Sequence, residues 1–320
     1  MAGCSVRNQF DLIIKNGLVF DGAGSAGIIK DIGIRGDRIT AIDDLSASSA
    51  DITIDARNLA VSPGFIDIHA HTDTELLVNP RAESKIHQGV TTEVSGNCGY
   101  SSFPLTDADF AEFDKNLFEK YGIHATWQQI SGFFEALEKK KISYNFVTLT
   151  GHGSLRAYVM GRNDVDPTPE QMEQMKTVLA QSLENGSFGL STGLEYAPGS
   201  YAKTEELIEL SKVVSRYNGI YATHIRSEDD FVEQAIAEAI QICREAEVST
   251  EISHLKACNQ SNWHKVDHML ELIQQAIDKN LPVKADRYPY IAYSTGLTIF
   301  LPLWSRQGKT EEILLRLQDK

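Results

Sequence analysis

The chain has 320 residues and a formal net charge of −14, from 30 Lys and Arg residues against 44 Asp and Glu residues. This length suffices for a large domain with a sizeable core. An acidic balance with no long basic run disfavours nucleic acid and an anionic membrane surface as partners. No apolar run reaches the length of a transmembrane helix, so no membrane span is expected.

The cysteine spacing predicts neither a disulfide framework nor a Cys-x-x-Cys motif, which favours a reducing, cytoplasmic location. An alternative rests on Ala2-Gly3-Cys4, which matches the last residues of a bacterial lipoprotein signal whose Cys becomes lipidated. That alternative predicts a periplasmic lipoprotein, with an apolar segment encoded upstream of Met1.

Residues 1–9 are expected to form an N-terminal tail, and residues 10–62 a run of short strands and turns. Alternating apolar and polar residues in 10–62 indicate strands with one covered face. Asn16-Gly17 and Arg35-Gly36-Asp37 are typical of hairpin turns.

From Pro63 onward the pattern changes to strand, loop and helix. The predicted strands are roughly 65–70, 92–97, 145–150, 188–192, 220–224, 250–254 and 282–288. The predicted helices are 167–184, 204–217, 229–246, 266–279 and 310–318. This alternation predicts an α/β fold with a parallel sheet.

Metal-ligand residues end four of the predicted strands. The first strand ends in His69-Ala70-His71, and residues i and i+2 of a strand point to the same side. Cys98, His224 and His254 each close a later strand. Imidazole and thiolate together suit zinc, and sites of this kind gather at one face of a closed barrel.

The motifs resemble the amidohydrolase superfamily and, within it, the N-acyl-D-amino-acid deacylases (D-aminoacylases). His-x-His marks the superfamily, whereas the Cys98 position and the STGLEYAP and SHLK strings are specific to the deacylases. The matching strings are PGFIDIHAHTD, QGVTTEVSGNCG, TGHGSLR, GLSTGLEYAPGS, YATHIRSE, EISHLKA and DRYPYIAYST.

The resemblance implies a TIM-like (β/α) amidohydrolase barrel over residues 63–320, with residues 10–62 forming part of a small β-sandwich. About seven barrel strands are present in the sequence. The resemblance places an acid–base Asp at the end of an eighth strand, within a Gly-Ser-Asp-type motif that this chain lacks. The chain is therefore expected to be truncated before strand 8.

The resemblance also implies roles for the metal ligands. Cys98, His224 and His254 would form one tight zinc site. His69 and His71 would line a second, weaker site that shares the Cys.

Further roles follow from the same resemblance. Tyr196 would polarise the scissile carbonyl, and the alternative is an aromatic packed over the barrel mouth. Lys256, Tyr288 and Ser294 would clamp the substrate α-carboxylate. The alternative for Lys256 is a solvated surface lysine.

The expected reaction is zinc-dependent hydrolysis of N-acyl-D-amino acids, with a small molecule as the partner and the oligomeric state left open. One alternative is a cyclic amidase or dipeptidase-like amidohydrolase. Cys98, and the lack of a bridging Lys in residues 189–194, disfavour it. Another alternative is a catalytically inactive, truncated metal-binding remnant.

Overall fold

The computed structural model describes residues 9–318, so Cys4 and the lipoprotein prediction lie outside the described residues. The chain divides into two compact units, Met1–Phe65 and Ile66–Lys320. Among residues 9–318, no helix combines the length and the apolar composition needed to cross a bilayer.

The first unit contains a five-stranded sheet in the order β3-β2-β1-β4, with the fifth strand also paired to β1. Its strands are β1 (Phe10–Val19), β2 (Ile28–Arg35), β3 (Arg38–Asp43), β4 (Ala50–Asp55) and β5 (Ala60–Val61). β2 runs antiparallel to β1 and β3, whereas β4 and β5 run parallel to β1. Phe10, Ile13 and Leu45 form its buried apolar cluster. That this sheet is part of a β-sandwich stays a prediction.

The predicted turn at Asn16-Gly17 is wrong, because β1 continues through it as a bulge. The register of β1 against β2 shifts between Ile14 and Gly17. Asn16 has a φ of 62° and donates its backbone N–H to Asp31 Oδ1 at 2.8 Å. A Cβ on Gly17 would lie 2.6 Å from Val61 Cγ2, so the strand needs glycine for this close approach.

The second turn signal, Arg35-Gly36-Asp37, does join two antiparallel strands. Gly36 has a φ of 57° and lies between β2 and β3. The left-handed conformation is one that glycine adopts without a steric cost. This hairpin prediction is confirmed.

From residue 65 the strands alternate with helices. The strands are β6 (Phe65–Asp67), β7 (Val90–Ser95), β8 (Asn145–Thr148), β9 (Thr150–Gly151), β10 (Gly189–Gly193), β11 (Ile220–His224), β12 (Ser249–Ile252) and β13 (Val283–Ala285). The helices are α1 (Glu75–Val78), α2 (Glu83–Ile86), α3 (Asp107–Tyr121), α4 (Ile130–Lys140), α5 (His152–Met160), α6 (Pro169–Glu184), α7 (Thr204–Arg216), α8 (Val232–Ala246), α9 (Val266–Asp278) and α10 (Thr310–Gln318).

These strands form two sheets, one in the order β6-β7-β8 and one in the order β13-β12-β11-β10-β9. β7 and β8 are parallel, as are all neighbouring pairs from β9 to β13. Only Leu149 separates β8 from β9, and its N–H donates to Ser95 O on β7 at 3.0 Å. The predicted strand positions are confirmed to within a few residues, except that residues 145–150 form two strands. Parallel pairing is confirmed for β7 with β8 and for β9 to β13, whereas closure into a barrel stays a prediction.

Helix α6 begins where the sequence places its start signals. Thr168 Oγ1 accepts the N–H of Gln171 at 3.2 Å, and Gln171 Oε1 accepts the N–H of Thr168 at 2.9 Å. This reciprocal capping satisfies two backbone donors that the first turn leaves without partners.

The apolar faces of α6, α7 and α8 pack against β10 and β11. A representative buried set is Leu179, Leu207, Ile242, Leu190 and Tyr221. Burial of such side chains stabilises the fold by roughly 1.5–3 kcal/mol each. The packing holds the ends of β10 and β11 in a fixed position.

Candidate metal centre

The structure brings the five predicted ligand residues together at the carboxyl ends of strands from both sheets. His69 and His71 follow β6, and Cys98 follows β7. His224 ends β11, and His254 follows β12. Because parallel neighbours end at the same edge of a sheet, side chains distant in sequence meet there.

Cys98 is common to the two groups that the predicted ligands form. The donor atoms of His69, His71 and Cys98 lie within 4.8 Å of one another, and so do those of Cys98, His224 and His254. Cys98 Sγ is 3.4 Å from His69 Nε2 and 3.5 Å from His254 Nε2. Imidazole nitrogens around one thiol fit the donor preferences of zinc.

The backbone around Cys98 is held against the end of β10. Cys98 has a φ of 52°, which is uncommon for a residue with a side chain. A Cβ on Gly193 would lie 2.1 Å from the Cys98 carbonyl oxygen, so glycine is required there. Gly99 donates its N–H to Ser191 Oγ at 3.1 Å. These contacts fix the direction of the thiol.

The thiol lies in a poorly solvated place. Burial, with the nearby Glu228 carboxylate as the next cause, raises the pKa of Cys98 to about 12. Metal binding needs the thiolate, so a cation bound here would displace a proton.

A buried carboxylate that the sequence analysis did not single out joins the ligands to Lys256. Glu228 is 5% exposed, and its Oε1 lies 2.8 Å from His254 Nδ1 and in contact with Lys256 Nζ. Burial alone would raise the pKa of Glu228, but the His254 hydrogen bond and the charges of His224, His254 and Lys256 lower it to about 2. Glu228 is therefore an ionised acceptor at neutral pH.

A second carboxylate, Asp286, contacts two of the ligand segments. Its Oδ1 accepts the backbone N–H of His254 at 2.6 Å, and its Oδ2 lies 3.4 Å from His69 Nδ1. Carboxylates that bond the outer nitrogen of a ligating His fix the tautomer and orientation of the ring. The sequence analysis gave Asp286 no role, although it directly follows β13, at the same strand end as the ligands.

Glu195 completes the acidic surroundings of His224. Its Oε2 lies 3.3 Å from His224 Nε2, and its Oε1 accepts the backbone N–H of Glu228 at 3.1 Å. The only signal for Glu195 and Glu228 is their position in the loops that follow β10 and β11. Sequence alone does not separate such acids from surface charges.

Tyr196 lies beside the candidate centre. Its ring centroid is 4.8 Å from that of His224, and its hydroxyl is 2.9 Å from Thr295 Oγ1. Burial raises the pKa of Tyr196 to about 12, so the hydroxyl keeps its proton at neutral pH. The residue both packs on a ligand and presents a donor, so the two interpretations of Tyr196 are compatible.

Lys256 is not a solvated surface lysine, since 12% of its side chain is exposed. Its Nζ donates to the His254 carbonyl oxygen at 2.9 Å and lies 5.5 Å from the centre of the Tyr288 ring. Ser294 is exposed at the wall of the same cavity. The structure therefore places the three predicted clamp residues around one space.

Two cavities meet at the ligand cluster. The lysine cavity, of about 320 Å³, is lined by Lys256, Tyr288 and His254 among others. The glycine cavity, of about 430 Å³, is lined by residues that include Gly99, Gly153, Gly193, Gly199, Leu105 and Ala157. Both are lined by His71, Cys98, Tyr196, Ser294 and Thr295. A molecule bound at this shared wall reaches both spaces.

The chain belongs to the amidohydrolase family, whose model matches residues 53–275. Among curated proteins, the D-aminoacylase of Alcaligenes xylosoxydans xylosoxydans is 38% identical over 293 residues, which is 92% of this chain and 60% of that protein. The chain thus spans about 60% of the length of this relative.

Solved structures agree with this family. The N-acyl-D-glutamate deacylase of Bordetella bronchiseptica, complexed with zinc and a phosphonate inhibitor that mimics the tetrahedral intermediate, gives a TM-score of 0.80 at 35% identity. A D-aminoacylase with a binuclear metal centre gives a TM-score of 0.80 at 39% identity. Each match covers 88% of this chain and 59% of the relative.

Proposed function

We propose that this protein hydrolyses the amide bond of N-acyl-D-amino acids, releasing a carboxylate and the free D-amino acid. The observation that carries the proposal is the meeting of four imidazoles and one thiol beside a cavity that is lined by Lys256. The D-amino-acid substrate class comes from the relatives, which are named D-aminoacylase and N-acyl-D-glutamate deacylase.

Cys98, His224 and His254 would hold one zinc ion tightly, while His69 and His71 would line a second, weaker position that shares Cys98. Zinc held by such ligands acidifies water and polarises a carbonyl, and amide hydrolysis needs both effects. Glu228 and Asp286 would orient the rings of His254 and His69.

Tyr196 would donate its hydroxyl proton in a hydrogen bond to the carbonyl oxygen, where negative charge develops as water adds to the carbonyl carbon. The C–N bond then breaks, and the leaving amine takes up a proton. The proposal assigns that proton transfer to no residue between 9 and 318, because the resemblance places the acid–base Asp on an eighth strand.

Lys256, Tyr288 and Ser294 would bind the α-carboxylate in the lysine cavity. Lys256 Nζ already contacts Glu228 and the His254 carbonyl oxygen. A substrate carboxylate would therefore join or replace one of these acceptors rather than meet a free ammonium.

The proposal is tested by measuring zinc content together with hydrolysis of paired N-acetyl-D- and N-acetyl-L-amino acids. Wild type is compared with Cys98→Ala and with Cys258→Ala, a cysteine outside the ligand groups. We expect wild type and Cys258→Ala to bind zinc and to cleave the D-substrates, and Cys98→Ala to lose both properties.

Other outcomes separate the alternatives. Zinc binding with cleavage of cyclic amides but not of linear ones would replace the proposal with a cyclic amidase. Zinc binding without hydrolysis of either class would favour an inactive metal-binding remnant.

A further inference from the structure

Most of the glycine cavity is lined by residues that have no part in the proposed binding of the metal or of the α-carboxylate, yet the cavity opens on the same ligands. His71, Cys98 and Tyr196 form the wall that it shares with the lysine cavity. Any carbonyl group bound at these residues therefore has the lysine cavity on one side and the glycine cavity on the other.

The covalent structure of an N-acyl amino acid decides which half enters which cavity. The α-carboxylate and the amide nitrogen are both bonded to the α-carbon, so they stay on one side of the carbonyl carbon. If Lys256 holds the carboxylate, the amino-acid half occupies the lysine cavity. The acyl chain, on the opposite side of the carbonyl carbon, then extends into the glycine cavity.

The size of the glycine cavity exceeds what an acetyl group needs. Its volume is about 430 Å³. A methyl group is about as large as a water molecule, whose share of liquid volume is on the order of 30 Å³. An acetyl methyl would therefore leave most of the space to solvent. A chain of six to eight carbons, on the order of 200 Å³ by the same measure, would be buried in the cavity along its length.

The wall of the cavity is rigid because backbone packs against backbone. A Cβ on Gly153 would lie 2.9 Å from the Gly99 carbonyl oxygen, and a Cβ on Gly199 would lie 2.9 Å from the Gly193 carbonyl oxygen. Because these backbone segments already lie in contact, the cavity wall has little room to collapse inward when the cavity is empty. A preformed space lowers the entropic cost of binding a ligand.

Several polar groups along the cavity are already engaged with one another. Ser154 Oγ accepts the N–H of Ser101 at 3.0 Å and donates to the Ser101 carbonyl oxygen at 3.0 Å. Ser101 Oγ accepts the N–H of Gly151 at 3.0 Å. The charged pair in the lining, Arg162 with Asp109 at 3.6 Å, carries no net charge. The remaining lining includes Leu105 and Ala157, which favour an apolar occupant.

We propose that the glycine cavity is the acyl-binding site and that it accepts a neutral aliphatic acyl chain of about six to eight carbons, which at about 30 Å³ per carbon would occupy roughly half of its volume. This inference rests on the proposed deacylase function. It adds the class of acyl group, and it makes Ala157 and Leu105 residues that determine specificity.

The test compares kcat/KM for acetyl, butanoyl, hexanoyl and octanoyl derivatives of one D-amino acid. Each methylene should increase kcat/KM by roughly fourfold at full burial, so even with partial burial we expect the octanoyl substrate to exceed the acetyl substrate at least tenfold. Ala157→Phe, which fills the cavity from α5, should lower this ratio at least tenfold. Ala111→Phe, the same change at an exposed position of α3, should leave the ratio as in wild type.

A second substrate series varies the amino-acid side chain at constant acetyl. If Ala157→Phe changes the preference among amino-acid side chains but leaves the preference for acyl length as in wild type, the cavity holds the side chain and the inference is overturned. If Ala157→Phe lowers the melting temperature, Leu105→Trp narrows the cavity from the opposite loop and repeats the test.

Binding of simple carboxylates tests the inference independently of the proposed activity. Calorimetry of octanoate and acetate with the zinc-loaded protein should show octanoate binding at least tenfold tighter in wild type, and not in Ala157→Phe. If no acyl amino acid is cleaved but octanoate shows this preference, the proposed reaction fails and the cavity assignment stands. Equal binding of octanoate and acetate would overturn the inference.

Discussion

At the scale of single residues, Glu228 connects the candidate metal centre to the candidate carboxylate clamp. Its carboxylate contacts both His254 Nδ1 and Lys256 Nζ in a place where 5% of the residue is exposed. A buried, ionised carboxylate that contacts two polar or charged partners holds both of them in position.

Glu228→Gln should lower zinc affinity and raise KM more than it lowers kcat. Loss of a partner that orients a metal ligand typically costs about 10–100-fold in affinity or activity. Zinc affinity measured by chelator competition, with steady-state kinetics beside it, gives both effects. Glu233→Gln, at a surface pair with His268, is the control and should change neither quantity. Unaltered zinc affinity in Glu228→Gln would contradict the assigned role.

Lys256→Ala should raise KM while zinc content stays as in wild type. A hydrogen bond to a charged group contributes about 1.5–3 kcal/mol, so KM should increase on the order of 10–100-fold. Lys212→Ala, on the exposed side of α7, is the matched control. An unchanged KM in Lys256→Ala would remove the carboxylate clamp from the proposal.

The predictability of the site differs from residue to residue. The ligands could be found because His-x-His on one strand, and single His or Cys residues at later strand ends, form a pattern in the sequence. Glu228 and Asp286 could not, because a carboxylate after a strand is ordinarily a solvated charge. Their function depends on burial against His254, and burial is a property of the folded chain.

At the scale of elements, a buried ion cluster joins α5 to α7 behind the loop that carries Tyr196. His152 Nε2 lies 2.7 Å from Glu206 Oε1, and Arg156 Nε lies 3.6 Å from the same oxygen. Arg156 also donates to the Pro198 carbonyl oxygen at 3.3 Å. The cluster thereby fixes the chain two residues beyond Tyr196.

Glu206→Gln should destabilise the fold at neutral pH by about 3–5 kcal/mol, since it leaves the buried Arg156 without its charged partner. Burial alone would raise the pKa of Glu206, but the His152 hydrogen bond and the charges of His152 and Arg156 lower it below its usual value. The stabilisation is therefore full above the unfolded pKa of about 4.3, and it is lost as pH falls through the lower folded pKa.

Urea unfolding measured from pH 7 down to about pH 3 should accordingly show the gap between wild type and Glu206→Gln closing in acid. Glu209→Gln, on the same helix but in half-exposed pairs with Lys176 and Lys212, should cost less than about 1 kcal/mol. A gap that stays constant with pH would mean that the ionised form of Glu206 is not what stabilises the cluster.

Elements were predictable where local chemistry and tertiary structure agree. Helix α6 begins after Thr168 because its capping partner, Gln171, lies three residues away in the sequence. Asn16-Gly17 has equally strong local chemistry, but contacts with Asp31 and Val61 turn a hairpin signal into a bulge. A local rule contains no information about such distant partners.

At the scale of the whole molecule, the formal charge of −14 opposes the binding of an anionic substrate. The Debye length falls from about 30 Å at 0.01 M to about 8 Å at 0.15 M salt, so salt screens this repulsion. We expect kcat/KM for an N-acyl-D-amino acid to rise roughly two- to fivefold over this range. The corresponding neutral α-carboxamide is the control, and its binding should be insensitive to salt. A decrease with salt would mean that the local charge of Lys256 dominates.

The larger architecture was predicted from the alternation of strand and helix patterns along the chain more than from any one residue. Alternating strands and helices from Pro63 onward indicated parallel pairing, and β9 to β13 pair in that way. The break at Leu149 that separates β8 from β9 was not predicted, because residues 145–150 read as one strand. It depends on hydrogen bonds to β7 and β10, which the local sequence does not encode.

The shared wall of the glycine and lysine cavities has a consequence for the order in which products leave. After hydrolysis, the carboxylic acid would lie in one space and the amino acid in the other, with the ligand cluster between them. Because each product would have a space of its own, we expect release to be random. Each product should then inhibit hydrolysis without preventing the other product from binding. Because both products can be bound at once, the enzyme should slowly condense concentrated acid and D-amino acid to the amide.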